Sequence, residues 1–196
     1  SGSVKIDGTD VRNMSFKQLR GKIGYVPQKA SLLTGTIREN MRWRNENADD
    51  NEIINALKTA QAYDFIFEKD GLDTSVSQEG KNFSGGQRQR LTIARALVSD
   101  PEILILDDSS SALDLMTEAR LRRALSKANP NMTQVIVSQR ISTIRDADLI
   151  LVLDDGSAVG MGTHKELLES CEIYREICAT QIPEELAGTA AERISK

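Results

Sequence analysis

The stretch KNFSGGQRQRLTIARALVSDPEILILDDSSSALD, residues Lys81 to Asp114, decides the fold. Within it an apolar run, residues 103–106, is followed directly by Asp107 and Asp108. Such a run is typical of a strand that is covered on both faces in a parallel sheet. Open α/β sheets bind ligands at the carboxyl ends of their strands, so the two carboxylates suit a magnesium nucleotide. Taken alone, an Asp-Asp pair is explained equally well as a turn.

The upstream part of this stretch predicts an anion site. Ser84, Gly85 and Gly86 precede a helical pattern, so bare backbone N–H groups and the positive end of a helix point to one spot. By itself, Ser-Gly-Gly serves equally well as a plain helix-starting loop. The order of SGGQ, an apolar strand ending in acid, and then SALD is far more specific.

The flanking sequence predicts strands that alternate with helices. KIGYVPQ is interpreted as a strand that Pro27 ends, and residues 36–62 as a helical segment. Strands are also predicted at TQVIVS and LILVL, with a hairpin turn at Asp155 and Gly156. Helix starts are predicted where Ser or Thr precedes Gln or Glu by three residues. These pairs are Ser15 with Gln18, Thr36 with Glu39, and Thr163 with Glu166. This order favours an α/β sheet with helices on its faces.

Bulk composition excludes some classes of function. The 196 residues carry a net charge of −4, which gives no basic field of the kind that attracts nucleic acid. No run of about 18 apolar residues occurs, so no transmembrane helix is predicted within the sequence. Cys171 and Cys178 are interpreted as buried or idle thiols rather than a disulfide framework. Arg88, Arg90 and Arg95 are interpreted as surface charges of a helix that add solubility or help pair with phosphates.

Together these motifs resemble the nucleotide-binding domain of ATP-binding cassette (ABC) transporters, exporter type, over nearly the whole chain. FSGGQ, Phe83 to Gln87, is similar to the signature motif, with Phe83 in place of the usual leucine. TGTIRENM and GTHKELL also resemble exporter segments. The resemblance implies an α/β, P-loop NTPase-like ABC ATPase fold with a helical subdomain. The resemblance implies four divisions of the chain. Residues 1–35 are the remainder of the N-terminal catalytic subdomain, with the Q-loop, and residues 36–100 are the helical subdomain with the signature motif. Residues 101–182 are a RecA-like catalytic core, with Walker B, the D-loop and the H-loop position, and residues 183–196 are a polar tail.

The resemblance also implies the cofactors, partners and site residues. ATP and Mg²⁺ are the implied cofactors, with Gln28 of the Q-loop and the Walker B Asp107 as metal ligands. Two such domains dimerise head to tail, so the signature contacts ATP that the partner chain mainly holds. The implied signature and D-loop residues are Ser84, Gly85, Gly86, Gln87, Ser111, Ala112, Leu113 and Asp114. A second nucleotide-binding domain and a transmembrane domain are the implied partners, which places the chain on the cytoplasmic face of a membrane.

Three departures from the family pattern bear on mechanism. No Gly-x-x-x-x-Gly-Lys-Ser/Thr loop occurs, so we expect a truncated domain that lacks the Walker A strand, loop and helix and folds poorly by itself. Asp108 stands where the family has the catalytic glutamate. Its carboxylate is drawn back by about 1.5 Å, and a misplacement of about 1 Å costs on the order of 100-fold in rate. Gln139 stands where the family has a histidine, and glutamine cannot become cationic near neutral pH.

Asp108 and Gln139 together resemble the degenerate half of a heterodimeric exporter, in which one ATP site hydrolyses slowly. We therefore expect slow ATP hydrolysis at this chain's own site. We also expect the signature motif of this chain to support hydrolysis of the ATP that the partner chain mainly holds. The alternative is a catalytically silent regulatory or interaction module. A rival within the fold, the chromosome-maintenance ATPases, is disfavoured because no sustained heptads separate Gln28 from Ser84.

Overall fold

The computed structural model describes residues 2–182. The chain divides between Val137 and Ser138 into two compact units. The nine strands of the described residues are β1 Lys5–Ile6, β2 Thr9–Asp10, β3 Ile23–Val26, β4 Gly35–Thr36, β5 Ser75–Val76, β6 Ile103–Asp107, β7 Thr133–Val137, β8 Ile150–Asp154 and β9 Ser157–Gly162. The α-helices there are α1 Phe16–Lys22, α2 Ile37–Arg42, α3 Asp50–Thr59, α4 Tyr63–Phe67, α5 Gly85–Leu97, α6 Leu115–Ala128, α7 Ile141–Ile144, α8 His164–Ser170 and α9 Glu172–Gln181. Short 3-10 turns lie at Val11–Asn13, Gly71–Asp73 and Gln78–Gly80.

The first unit is built around a parallel sheet in the order β3-β6-β7. Leu104 and Leu106 are buried in the hydrophobic core, whereas Ile103 and Ile105 are only half-buried. The prediction that β6 is covered on both faces is therefore wrong for the described residues. The reason is that the second face of the three-stranded sheet carries exposed apolar side chains on both outer strands.

The predicted helical segment 36–62 contains two helices. The Thr36–Glu39 capping box starts α2 as predicted, and α2 ends at Arg42. A second capping box, Asp49 with Glu52, then starts α3. Ile53 and Leu57 of α3 are fully buried, so the apolar face that the sequence pattern indicated does enter the core. The subdomain boundaries at residues 35 and 100 remain predictions.

The second unit contains a hairpin and three helices. β8 and β9 pair antiparallel, and Asp155 and Gly156 form the turn in left-handed conformations as predicted. The capping box of Thr163 with Glu166 starts α8, also as predicted. Cys171 and Cys178 are both free and buried in this unit's core. The predicted polar tail, residues 183–196, lies outside the described residues. No helix among residues 2–182 is long and apolar enough to span a membrane.

Candidate active site

The carboxylate pair lies at the carboxyl end of β6, as the sequence predicted. Asp107 is the last residue of the strand, and Asp108 follows with a φ of 42°. Aspartate is one of the few residue types that adopt this left-handed conformation readily. The Asp108 N–H donates to the carbonyl of Val137 at 2.9 Å, and the Ser111 hydroxyl donates to the carbonyl of Asp108 at 2.9 Å. The backbone around the pair is thus held by both the sheet and the segment that follows.

Gln28 and Asp108 are brought together although 80 residues separate them. The Gln28 amide Nε2 donates to Asp108 Oδ2 at 3.2 Å. The parallel pairing of β3 with β6 produces this contact, because it aligns Val26 with Leu106 and so places both strand ends at one edge of the sheet. The predicted metal ligand Gln28 and the predicted catalytic residue Asp108 are therefore in direct contact.

The donor set at this edge fits a magnesium ion held jointly with a nucleotide. Magnesium is usually bound by one or two carboxylates together with substrate phosphates and water. Asp107 supplies a carboxylate, and the amide oxygen of Gln28 is a second oxygen donor. Among residues 2–182, no cluster of three or more His, Cys, Asp or Glu side chains forms a metal site by itself. An ion here would therefore take its remaining ligands from phosphate and water.

Tyr25 is a site residue that the sequence did not reveal. Its hydroxyl donates to Asp107 Oδ2 at 3.0 Å. The pKa of Tyr25 is raised, first because the neutral phenol donates this hydrogen bond and second because of burial. The contact depends on the register of β3 against β6, which is a non-local property that no local pattern in the sequence reports.

The signature segment starts α5 with a reciprocal cap. Ser84 Oγ accepts from the N–H of Gln87 at 3.2 Å, and Gln87 Oε1 accepts from the N–H of Ser84 at 2.9 Å. Gly85 and Gly86 form the first turn between these two residues. Because this is the positive end of a 13-residue helix, the signature presents backbone donors where an anion is favoured.

The signature also contacts the D-loop of the same chain. A Cβ added to Gly86 would lie 3.0 Å from the carbonyl oxygen of Ala112 and 3.6 Å from Leu113. Leu113 is buried in the core, and Asp114 caps α6 by accepting from the N–H of Thr117 at 2.9 Å. The two motifs therefore form one packed surface in which glycine is required for the close approach.

Three arginines of α5 bind backbone carbonyls rather than projecting into solvent. Arg88 donates to Phe83, Arg90 to Gln61 at 2.7 Å, and Arg95 to Ser31 at 2.8 Å. The interpretation of these residues as surface charges that only add solubility is wrong, because each guanidinium donates to a loop carbonyl. The alternative, that they help pair with phosphates, stays a prediction. Burial lowers the pKa of Arg90 and Arg95 below the usual guanidinium value.

Gln139 lies in the second unit and is exposed there. Its backbone carbonyl accepts from Gln181 Nε2 at 2.7 Å, while Gln181 Oε1 accepts from the N–H of Ile141 at 2.9 Å. The side chain of Gln181 thus holds the segment that carries Gln139. No local pattern in the sequence indicates this role of α9, because the two glutamines are 42 residues apart.

A groove of about 840 Å³ lies in the first unit beside β3. Among its described lining residues four are basic and none is acidic; the basic ones are Lys17, Arg20, Arg44 and Arg95. Tyr25 and Trp43 add aromatic surface, and the Trp43 side chain is 70% exposed. Burial is the cause that lowers the pKa of Arg44, so this charge is partly removed from water.

Comparison with known proteins identifies the family of this chain. The model of the ABC transporter family matches residues 1–111. The uncharacterized ABC transporter ATP-binding protein YfiB of Bacillus subtilis is 47% identical over 94% of this chain and 32% of its own length. The beta-(1→2)glucan export ATP-binding/permease protein NdvA of Rhodopseudomonas palustris is 46% identical over 92% of this chain and 30% of its own length.

Among solved structures, a bacterial Atm1-family ABC exporter with ATP bound matches with a TM-score of 0.87. It is 38% identical, over 92% of this chain and 32% of that one. The chain thus spans about a third of the proteins it matches. Both the predicted family and the predicted α/β ABC ATPase fold are confirmed. This chain belongs to the ABC transporter family, as an ATP-binding domain of the exporter type.

Proposed function

We propose that this chain binds MgATP at a dimer interface and couples its binding and hydrolysis to export of a substrate across a membrane. The observation that carries this proposal is the contact of Gln28 with Asp108 at the carboxyl end of β6, beside Asp107. It brings the Q-loop position, the Walker B position and the base position to one edge of the sheet. ATP with Mg²⁺ is the matching ligand, because its phosphates complete the coordination that these oxygen donors begin.

The chain's own site is a slow hydrolyser in this proposal. Asp108 is one methylene shorter than glutamate, and its Oδ2 already accepts from the Gln28 amide. A base must come within hydrogen-bond reach of the water that it orients. The Asp108 carboxylate meets this requirement poorly, because it is farther back than that of glutamate and is already hydrogen-bonded to Gln28. Gln139 adds to the loss, because it cannot carry the positive charge that a histidine offers to a terminal phosphate.

The signature works in trans in this proposal. Ser84 and the glycines after it retain the capped helix start that presents N–H donors to an anion. A chain with a slow site and an intact signature supports turnover at its partner's nucleotide. The partner is therefore a second, different ABC ATP-binding domain with its own catalytic residues, and the assembly is a heterodimer.

The membrane partner docks at the basic groove, which places the chain on the cytoplasmic face. The groove offers aromatic surface from Tyr25 and Trp43 beside four cations, and its described lining includes no acidic residue. Partly buried charges such as Arg44 and Arg95 favour an occupant of opposite charge. We therefore expect the docking segment of the membrane domain to be a short helix with at least one carboxylate.

The test compares the two motifs in the reconstituted transporter. Asp108→Asn is expected to lower steady-state ATP hydrolysis by less than about twofold, because this carboxylate contributes little to the competent site. Ser84→Ala is expected to lower it by about 10-fold or more, because a donor to the transition-state phosphate is removed. Thr36→Ala is the matched control, since it removes the same kind of capping box from α2 without a proposed phosphate contact.

Two outcomes would contradict the proposal. Complete loss of hydrolysis in Asp108→Asn with little effect of Ser84→Ala would make this chain's own site the working one. No effect of either variant would favour the silent regulatory or interaction module. Rapid hydrolysis by a purified homodimer of the full-length protein would also overturn the degenerate site.

A further inference from the structure

Tyr25 contacts two places that the proposed function assigns to different tasks. Its hydroxyl donates to Asp107 Oδ2 at 3.0 Å. Tyr25 is also one of the residues that line the basic groove, together with Trp43 and Arg44. The same residue therefore borders the groove and contacts the carboxylate assigned to the metal.

The strand register explains why Tyr25 reaches Asp107. In the parallel pair β3-β6, Tyr25 is aligned with Ile105, and Asp107 follows two residues later on the same face of the sheet. A tyrosine side chain is long enough to reach from Tyr25 to Asp107 across the two strands. Gln28, just beyond the end of β3, reaches Asp108 in the same direction. The segment from Tyr25 to Gln28 thus supplies one hydrogen-bond donor to each carboxylate.

The described residues give Tyr25 one specific polar contact. The residue is 51% exposed, and Val135 and Val137 on the same sheet face are exposed as well. Its hydroxyl donates to a carboxylate oxygen of Asp107, and hydrogen bonds to carboxylates are a stronger class than those between neutral groups.

We propose that Tyr25 is a positioning residue that fixes the orientation of Asp107 and connects the groove to it. The inference rests on the proposed function, since Asp107 must serve as a metal ligand. Holding Oδ2 with the phenol leaves the other oxygen, Oδ1, presented in one direction before the ion arrives. An occupant of the groove that moves the ring also changes this hydrogen bond.

The experiment measures metal binding rather than catalysis. Mn²⁺ is titrated into the full transporter with ATP bound, and free Mn²⁺ is followed by electron paramagnetic resonance. Tyr25→Phe keeps the ring but removes the donor, and is expected to weaken Mn²⁺ binding at one of the two sites by about 3-fold to 10-fold. ATP affinity without divalent ions is expected to stay unchanged. The partner's site is an internal reference, and Tyr63→Phe, which stacks on Phe67, is the control.

A second variant tests the connection to the groove. Trp43→Ala changes the groove wall and is expected to shift Mn²⁺ affinity in the wild-type background but not in the Tyr25→Phe background. Such non-additivity in a double-mutant cycle shows that the two residues are coupled. Additive effects, or no effect of Trp43→Ala, would overturn the connection.

The remaining outcomes separate the inference from the proposed function. Unchanged Mn²⁺ affinity in Tyr25→Phe, with two normal sites in the wild type, would overturn the positioning role alone. Failure of the wild-type chain to contribute any Mn²⁺–ATP site would overturn the proposed function and this inference with it.

Discussion

Gly86 is the residue at which the signature and the D-loop lie closest to each other. Gly86→Ala would place a methyl group 3.0 Å from the carbonyl oxygen of Ala112, which is backbone and cannot rotate away. Overpacking of this kind costs about 1 to 3 kcal/mol, of which up to about 1 kcal/mol is returned by the helix preference of alanine. We expect a net loss of about 1 kcal/mol in denaturant unfolding of the complete ATP-binding domain. Faster hydrogen exchange of residues 110–114 would locate the loss in the D-loop.

Gly85 is the matched control for this prediction. A Cβ at Gly85 would meet only the Cβ of Ala112, at 4.0 Å, which is ordinary van der Waals contact. Gly85→Ala is therefore expected to leave stability unchanged or to raise it by up to about 1 kcal/mol. Equal destabilisation by both variants would show that loss of glycine flexibility matters, and not the close approach to Ala112.

Among the helices, α6 depends on an ionised cap. Asp114 has a lowered pKa, first because of the hydrogen bond from the Thr117 side chain and then because of its backbone N–H. Because the pKa of Asp114 is lower in the folded than in the unfolded chain, its ionised form stabilises the fold. This stabilisation is fully present above the unfolded pKa of 3.8 and is lost as the pH falls through the pKa of the folded state. Asp114→Ala is expected to lower the thermal midpoint of the complete ATP-binding domain by about 2 to 4 °C between pH 5 and 8.

Asp114→Asn separates the charge from the hydrogen bond. Asparagine is also a strong N-cap, so most of the cap is retained without a titrating group. The difference in stability between the wild type and Asp114→Asn is expected to be constant from pH 5 to 8 and to shrink below about pH 3.8. A difference that disappears near pH 6 would assign the effect to another group.

Helix starts were the elements that the sequence predicted best, because the capping-box spacing is local. The boxes at Ser15, Thr36 and Thr163 are all observed. The box of Asp49 with Glu52, which starts α3, was not singled out in the sequence. The burial of β6 was predicted on both faces but is observed on one, because an apolar run does not report how many layers cover a sheet.

The contacts that the sequence did not predict are those that depend on how distant strands pair in the sheet. The motifs Gln28, Asp107 and Asp108 were predicted from their order along the chain. The hydrogen bond of Tyr25 to Asp107 and the basic groove were not, because β3 and β6 are about 80 residues apart in the sequence. The internal role of Arg95 was missed for the same reason.

One face of the first unit's sheet exposes apolar side chains. Tyr25, Val135 and Val137 are 51%, 45% and 53% exposed and lie on one face with half-buried Ile103 and Ile105. An apolar surface of this kind promotes self-association. The 196-residue chain studied alone is therefore expected to bind the dye anilinonaphthalene sulfonate, to scatter light and to unfold without a sharp transition.

Substitutions on the two faces of β7 distinguish an exposed folded face from general unfolding. Val135→Thr with Val137→Thr keeps β-branched residues and removes apolar surface, so dye binding and scattering are expected to fall while the circular dichroism spectrum stays the same. Ile136→Thr is the matched control, because Ile136 packs against the core on the opposite face and its loss costs about 1 to 2 kcal/mol. If the isolated chain unfolds in one cooperative transition without binding dye, its sheet is adequately covered and the expectation of poor folding is wrong. If dye binding persists in the double variant, the dye reports general loss of structure, because an unfolded chain would not respond to two residues on a single face.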